Sequence, residues 1–163
     1  MIIFILFFSC QKDKGLSSAK REYWESRKAT ITHLDSLVHG KTYLPVYSHI
    51  YHIQEDRTYS LTVTVSIRNV SIADSIYILS AEYFNTSGDK IREYFHSPIF
   101  IKPMETVEII IDESDKEGGS GANFIFDWAV KNDKNPPLFE AVMISTYGQQ
   151  GLSFSTRGVR LYD

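Results

Sequence analysis

From Tyr43 onward, apolar and polar residues alternate with a period of two, interrupted at regular intervals by clusters of Gly, Pro, Asn, Asp and Ser. A period of two sends successive side chains to opposite faces of an extended chain, so each run reads as a strand with one face on a core and one toward water. The clearest run is Tyr59 to Arg68, where Tyr59, Leu61, Val63, Val65 and Ile67 alternate with Ser60, Thr62, Thr64, Ser66 and Arg68. Further strands are predicted over Ser75 to Asn85, Lys90 to Phe95, Pro98 to Ile101, Thr106 to Asp112, Ala122 to Val130, Phe139 to Thr146 and Leu152 to about Leu161. Turn chemistry separates them at Asn85 to Asp89, Lys102-Pro103, Glu117 to Gly121, Asn132 to Pro137 and Gly148 to Gly151. Short strands with no helical period between them predict an all-β fold. The expected architecture is an antiparallel immunoglobulin-like or fibronectin-like β-sandwich, with a small barrel as the alternative.

Upstream the period changes. Tyr23, Arg27, Ile31, Leu34 and Val38 recur at helical spacing, which predicts helix between Ser18 and about Val38, with Gly40 as its C-terminal cap. The β-branched Thr30, Ile31 and Thr32 argue instead for one short helix followed by an extended arm. Trp24 is expected to dock on the main domain, because an indole left on a tether would expose a large apolar area.

The run Ile2 to Phe8 is too short for a spanning helix of about 20 residues. It fits the apolar region of a signal peptide, which takes about 7–15 residues. Ser9 supplies a small residue before Cys10, the one cysteine of the chain, so the order reads as a lipoprotein signal with Cys10 as the acylated residue. Phe8 is bulkier than the residue usual at its position, and no Lys or Arg precedes the run. The competing reading, a buried N-terminal strand, is opposed by the polar segment from Gln11 to Glu22. The expected organisation is a signal peptide at 1–9, a tether and short helical arm at 10–40, and the sandwich at 41–163. This places the protein in the bacterial cell envelope, lipid-anchored at the outer membrane, on its periplasmic or surface face.

The chain of 163 residues carries a formal charge of −3, which gives no basic footprint and excludes nucleic acid as the partner class. With Cys10 acylated, no thiol remains for a disulfide or a thiolate metal site, so stability rests on packing, to which 10 Tyr and 10 Phe contribute.

The segments YLPVYSHIYH (43–52), LTVTVSIRN (61–69), PMETVEIIIDESDKEGGSGANFIFDW (103–128) and EAVMISTYGQQGLSFSTRG (140–158) resemble a bacterial family of short secreted and lipoprotein domains of unknown function. The YSHIY, GGSGANF and GQQG-SF pieces carry the resemblance, which spans Tyr43 to about Gly158. It implies a secreted or lipoprotein context and brings no reaction with it.

Candidate chemistry centres on two glycine-rich loops. Gly118 to Asn123 can turn its amides toward an anion, but it lacks the lysine and following helix of a phosphate loop. A tight turn between strands is the plainer reading. Tyr147 to Gly151 carries Gln149 and Gln150 between glycines, with Ser153, Ser155 and Arg157 alternating beyond it. Amides so placed either read a sugar or peptide or staple the loop to backbone. Two strand lengths carry the chain out and back, so both loops are expected at one end of the sandwich. Ser120, Asn123, Gln149, Gln150 and Arg157 are therefore the candidate ligand-binding residues.

Other constellations are weaker. His49 and His52 point to opposite faces of a straight strand and cannot share an ion without a bulge, and no metal or cofactor is called. The acidic run Asp112 to Glu117 does not fit an EF-hand and reads as a solvated turn. No G-x-S-x-G elbow is present, and Asp127 and Glu140 are the carboxylates available to a retaining glycosidase. Three function readings follow. The leading one is a non-enzymatic envelope lipoprotein, anchored by acyl chains, whose sandwich binds a protein or glycan. The others are a hydrolase using His49, Asp127 or Glu140 with the glycine-rich loops, and a structural or assembly subunit working through a sheet edge.

Overall fold

The computed structural model describes residues 21–32, 34–146 and 151–162. Cys10, Gln149 and Gln150 lie outside the described residues. In chain order the elements are helix α1 (Arg21–Glu25), a 3-10 turn (Leu34–Ser36), β1 (Val38–Pro45), β2 (His49–His52), β3 (Gln54–Ser60), β4 (Thr62–Arg68), β5 (Ile76–Phe84), β6 (Lys90–Glu93), β7 (Ile99–Ile101), β8 (Thr106–Ile111), a second 3-10 turn (Gly119–Gly121), β9 (Asn123–Val130), β10 (Leu138–Ser145), β11 (Leu152–Arg157) and β12 (Val159–Leu161). The protein is an all-β antiparallel sandwich with a short N-terminal helix. One sheet has the order β12-β1-β9-β5-β6, with β7 also on β5, and the other has the order β11-β10-β4-β8. β2 and β3 form a separate two-stranded sheet.

The alternation in the sequence is the alternation in the fold. Leu61, Val63, Val65 and Ile67 are fully buried and face the core, as do Phe124, Phe126 and Trp128 from β9. Burying each such side chain contributes about 1.5–3 kcal/mol. Phe126 stacks on Phe139 of the facing sheet at 4.5 Å between ring centroids, and Tyr83, Phe124 and Phe126 continue the stack at 4.8 and 5.3 Å. On the outer side of β4, Thr62 and Thr64 are half-buried while Ser66 is only 6% exposed. Arg68 closes over this row by bonding Glu140 at 3.2 Å and Thr106 at 3.3 Å.

Several boundaries fall where only tertiary contact puts them. The Tyr59 to Arg68 run is not one strand. It divides at Leu61, whose amide donates to Ser48 O at 2.9 Å, so Tyr59 belongs to the β2–β3 hairpin. The Leu152 to Leu161 run divides at Gly158, where the chain leaves one sheet and joins the other. A Cβ there would sit 2.7 Å from Thr42 Cγ2 and 3.0 Å from Phe139 Cβ, so a residue without a side chain makes the crossing.

Gly40 is not a helix cap. It lies inside β1 opposite Trp128, and a Cβ would overlap the Trp128 ring, which fills that space and donates Nε1–H to Thr42 Oγ1 at 2.9 Å. The helix ends at Glu25, and the β-branched stretch that follows is arm. Trp24 docks as expected: it is 5% exposed and packs on Phe95 at 5.3 Å.

Candidate functional site

One end of the sandwich brings together the glycine-rich turn, a partly buried charge network beneath it and a projecting hairpin. The turn is built by local bonds. Asp112 accepts from Ser114 N at 2.8 Å and Ser114 Oγ at 2.6 Å, and Gly119 N donates to Lys116 O at 3.2 Å. Gly119 has φ +79°, left-handed backbone that glycine takes without strain. A Cβ on Gly118 would overlap Tyr83 Oη and lie 2.7 Å from Ser48 Oγ.

The carbonyls of Gly118, Gly119 and Ala122 and the amides of Gly119 and Gly121 are committed inside the protein. Gly118 O accepts from Thr86 N at 3.0 Å and from Thr86 Oγ1 at 3.1 Å, and Thr86 Oγ1 in turn accepts from Gly121 N at 2.9 Å. Gly119 O accepts from Ser48 N and Ala122 O from Val46 N, each at 2.9 Å. The glycines thus serve close packing and a tight turn, the plainer of the two readings, and these groups are not presented to a ligand.

The acidic run next to the turn is only partly a solvated one. Asp115 is 0% exposed, held at 2.7 Å by Arg92 Nη1, while Arg92 Nη2 reaches Glu117 at 2.9 Å. Burial alone would favour the neutral form of Arg92, but the hydrogen bonds to Asp115 and Tyr94 outweigh it and hold the guanidinium more firmly charged than usual. Above this pair Tyr83 Oη and Ser48 Oγ bond at 3.0 Å. Burial pushes the Tyr83 phenol up to about 12, partly offset by the Ser48 bond. Sequence reasoning missed this network, because Arg92 and Asp115 are remote in the chain and neither carries a local motif. The signal available was an Asp set among charged residues that is followed by three glycines in four positions.

The hairpin stands out from the same end. His49 pairs with Ser60, Ile50 with Tyr59 and Tyr51 with Thr58, then the register shifts and His52 pairs with Gln54. Ile53 at the tip has φ +62° and is 83% exposed, and Tyr51 is 60% exposed. A β-branched residue in left-handed backbone is a strained outlier. His52 stacks on Tyr59 at 4.0 Å, and Tyr51, His52, Ile53, Gln54 and Glu55 border an open concavity of about 750 Å³. The bulge that shared chelation by His49 and His52 would need is present, yet among the described residues no three His, Cys, Asp or Glu side chains gather around a common point. Burial, with Lys116 nearby, lowers the His49 pKa below its ordinary value.

The predicted binding residues divide. Ser120 lies on the turn, and Asn123 opens β9 opposite Pro45 and Phe84, so these two share one end. The strand ends flanking the second loop, Ser145 and Leu152, pair with each other at that same end, next to Thr62 and the Ser48 bonds to Gly119 and Leu61. Arg157 is not part of the cluster. It pairs with Glu140 in β11, five residues beyond Leu152, which is about 17 Å along a strand.

The two carboxylates considered for a glycosidase are also apart. Asp127 is on the outer side of the six-stranded sheet, bonded by Ser80 at 3.0 Å and paired with Lys41 at 3.5 Å. Glu140 is on the outer side of the other sheet, bonded by Arg68. Sheets that pack about 10 Å apart leave these groups on opposite surfaces, far outside the spacing of a catalytic pair. Asp127 borders an open groove of about 560 Å³ with Lys41, Ser80, Arg160 and Tyr162, where Arg160 lies 4.9 Å from the Trp128 ring centroid and 5.3 Å from that of Tyr162.

Residues 39–161 match a family described as a protein of unknown function, DUF3124. The chain belongs to this family. The match begins inside β1 and closes at the end of β12, so it takes in the sandwich but for Val38 and leaves the arm at 21–32 outside it. No curated protein matches the chain. The crystal structure of Thermotoga maritima 1070 is a distant structural neighbour, with a TM-score of 0.46 and 12% identity over 74% of this chain and 92% of that one.

Proposed function

We propose that this member of the family is a lipid-anchored protein of the bacterial cell envelope, acylated at Cys10, whose sandwich is a non-enzymatic binding module that meets an envelope protein through the β2–β3 hairpin. The hairpin carries the reading. It projects from the end that holds the Arg92–Asp115 pair, and its tip exposes Tyr51 and a strained Ile53. Exposed aromatic and aliphatic anchors on a fixed base are what protein interfaces use, and strained backbone gathers at such sites. The separation of His49, Asp127 and Glu140 over different surfaces supports binding over hydrolysis.

The anchor and the hairpin are tested separately. Cys10→Ser should abolish fatty-acid labelling and release the protein from membranes; unchanged labelling would overturn the anchor. A photo-crosslinking residue in place of Ile53 should give a discrete adduct in intact cells, whereas the same group in place of the exposed Lys134, in the β9–β10 loop at the opposite end of the sandwich, should not. Equal labelling from both positions would remove the hairpin from the reading.

A second reading places a glycan in the groove beside Asp127, where a carboxylate, an amine, a hydroxyl and the 82% exposed Tyr162 lie together. Binding of soluble envelope glycan fragments that is lost in Asp127→Asn and Tyr162→Ala, and kept in Ile53→Ala, would select it over the hairpin.

A further inference from the structure

The open side of the sandwich is closed by the arm, and the way it is closed is that of a bound peptide. β7 pairs with β5 on one side. On its other side Lys28 bridges Ile99, Ala29 N donates to Pro98 O at 2.8 Å, and Phe100 N donates to Arg27 O at 3.0 Å. The arm therefore docks on a sheet edge through a single antiparallel β-bridge. Side chains fix its register. Trp24 inserts against Phe95, and Arg27 Nη2 bonds Glu105 Oε1 at 2.8 Å, a carboxylate whose other oxygen accepts from Lys102 N at 2.8 Å. Main-chain bonds to an edge strand, an aromatic anchor and one ion pair are the elements of peptide recognition by strand addition.

The fit of arm to groove is incomplete. Trp24 Nε1 and Arg27 Nε are buried without a hydrogen-bond partner, each at a cost relative to water. A cavity of about 290 Å³ remains beside Trp24, bordered by Glu25, Lys28, Tyr94, Phe95 and His96. The arm also lies outside the family match, and the connector between it and β1 holds a 3-10 turn that belongs to neither sheet. An element that is bonded through an edge, imperfectly satisfied and tied to the domain by a connector outside both sheets is suited to exchange.

We infer that the groove formed by β7, the 93–98 segment and Glu105 is a peptide-docking site, filled in cis by the arm at 21–30 and in trans by the same arm of a second copy. The second copy is the occupant whose complementarity is already visible, since exchange of an identical element keeps every contact described above. The chemistry recognised is a helical turn with Trp three positions before Arg, followed by a short extended stretch that bridges the edge of β7.

The test uses the full chain carrying Cys10→Ser and a labelled peptide of residues 21–32. The peptide should bind the Trp24→Ala/Arg27→Ala chain at least tenfold more tightly than the unsubstituted chain, whose groove is filled, and should raise the melting temperature of the substituted chain. A peptide bearing the same two substitutions should bind neither. If the double variant does not fold, Trp24→Ala alone empties the anchor position, keeps the Arg27–Glu105 pair and serves in its place. Chains labelled with two fluorophores should, on mixing, develop energy transfer that excess peptide suppresses. A folded variant that does not bind the peptide, or equal binding to both chains, would overturn the groove. Absence of energy transfer at concentrations where the peptide binds would overturn the second copy as its occupant.

Discussion

The glycine-rich turn and the β2–β3 hairpin lie side by side at one end of the sandwich and use their residues in opposite ways. The turn has the composition usually associated with ligands, yet Thr86, Ser48 and Val46 occupy its carbonyls, and Tyr83 fills the space over Gly118. The hairpin has no motif, yet it leaves Tyr51 and Ile53 in water on a base that the turn itself helps to fix. A run of glycines thus marks where two parts of a protein come close, and that neighbour can be the protein itself. Exposed apolar side chains on a braced element are the better sign of a partner.

The contrast can be broken most forcefully at the base. Asp115→Ala leaves the half-buried Arg92 guanidinium with Glu117 as its remaining carboxylate and should cost about 1.5–3 kcal/mol in denaturant unfolding. A cost below about 1 kcal/mol would mean that the network does not brace this end. Gly118→Ala should cost about 1–3 kcal/mol by overpacking against Tyr83 Oη. Tyr83→Phe removes the clashing oxygen, so the double variant should be less destabilised than the sum of the single ones. Additive costs would show that Gly118 is needed for some reason other than packing.

A pH titration sharpens the same point. Burial raises the Tyr83 phenol from 10.0 to about 12 in the folded protein, so it keeps its proton where the unfolded chain has lost it. The stability from this difference is fully present below pH 10 and is lost as pH rises toward 12, by about 2–3 kcal/mol in all. Tyr83→Phe should lose less stability over that window, and identical alkaline profiles would speak against a buried phenol. The smallest effect on folding is expected at the hairpin tip. Ile53→Gly relieves left-handed backbone and should change stability by no more than about 1 kcal/mol, in the stabilising direction, while abolishing the adduct formed from a crosslinking residue placed at Tyr51. A tip substitution that unfolds the protein would make the hairpin structural, as the turn is.

The sequence by itself determined the features that depend on neighbours along the chain. Strand placement followed from a period of two and from turn residues, so Leu61, Val63, Val65 and Ile67 were legible as core, and the bulk of Trp24 was enough to dock it. Tertiary structure decided what depends on residues distant in sequence. Gly40 reads as a helix cap until Trp128 arrives opposite it, and Asp115 reads as solvated until Arg92 reaches it across the fold. Strands also divided at Leu61 and Gly158 because Ser48 and Phe139 bond there, and Asp127 and Glu140 parted because β9 and β10 belong to different sheets. Periodicity reports which way a side chain points relative to its own strand, whereas burial of a charge, the close approach of a backbone and the meeting of two functional groups depend on which strand is laid beside it.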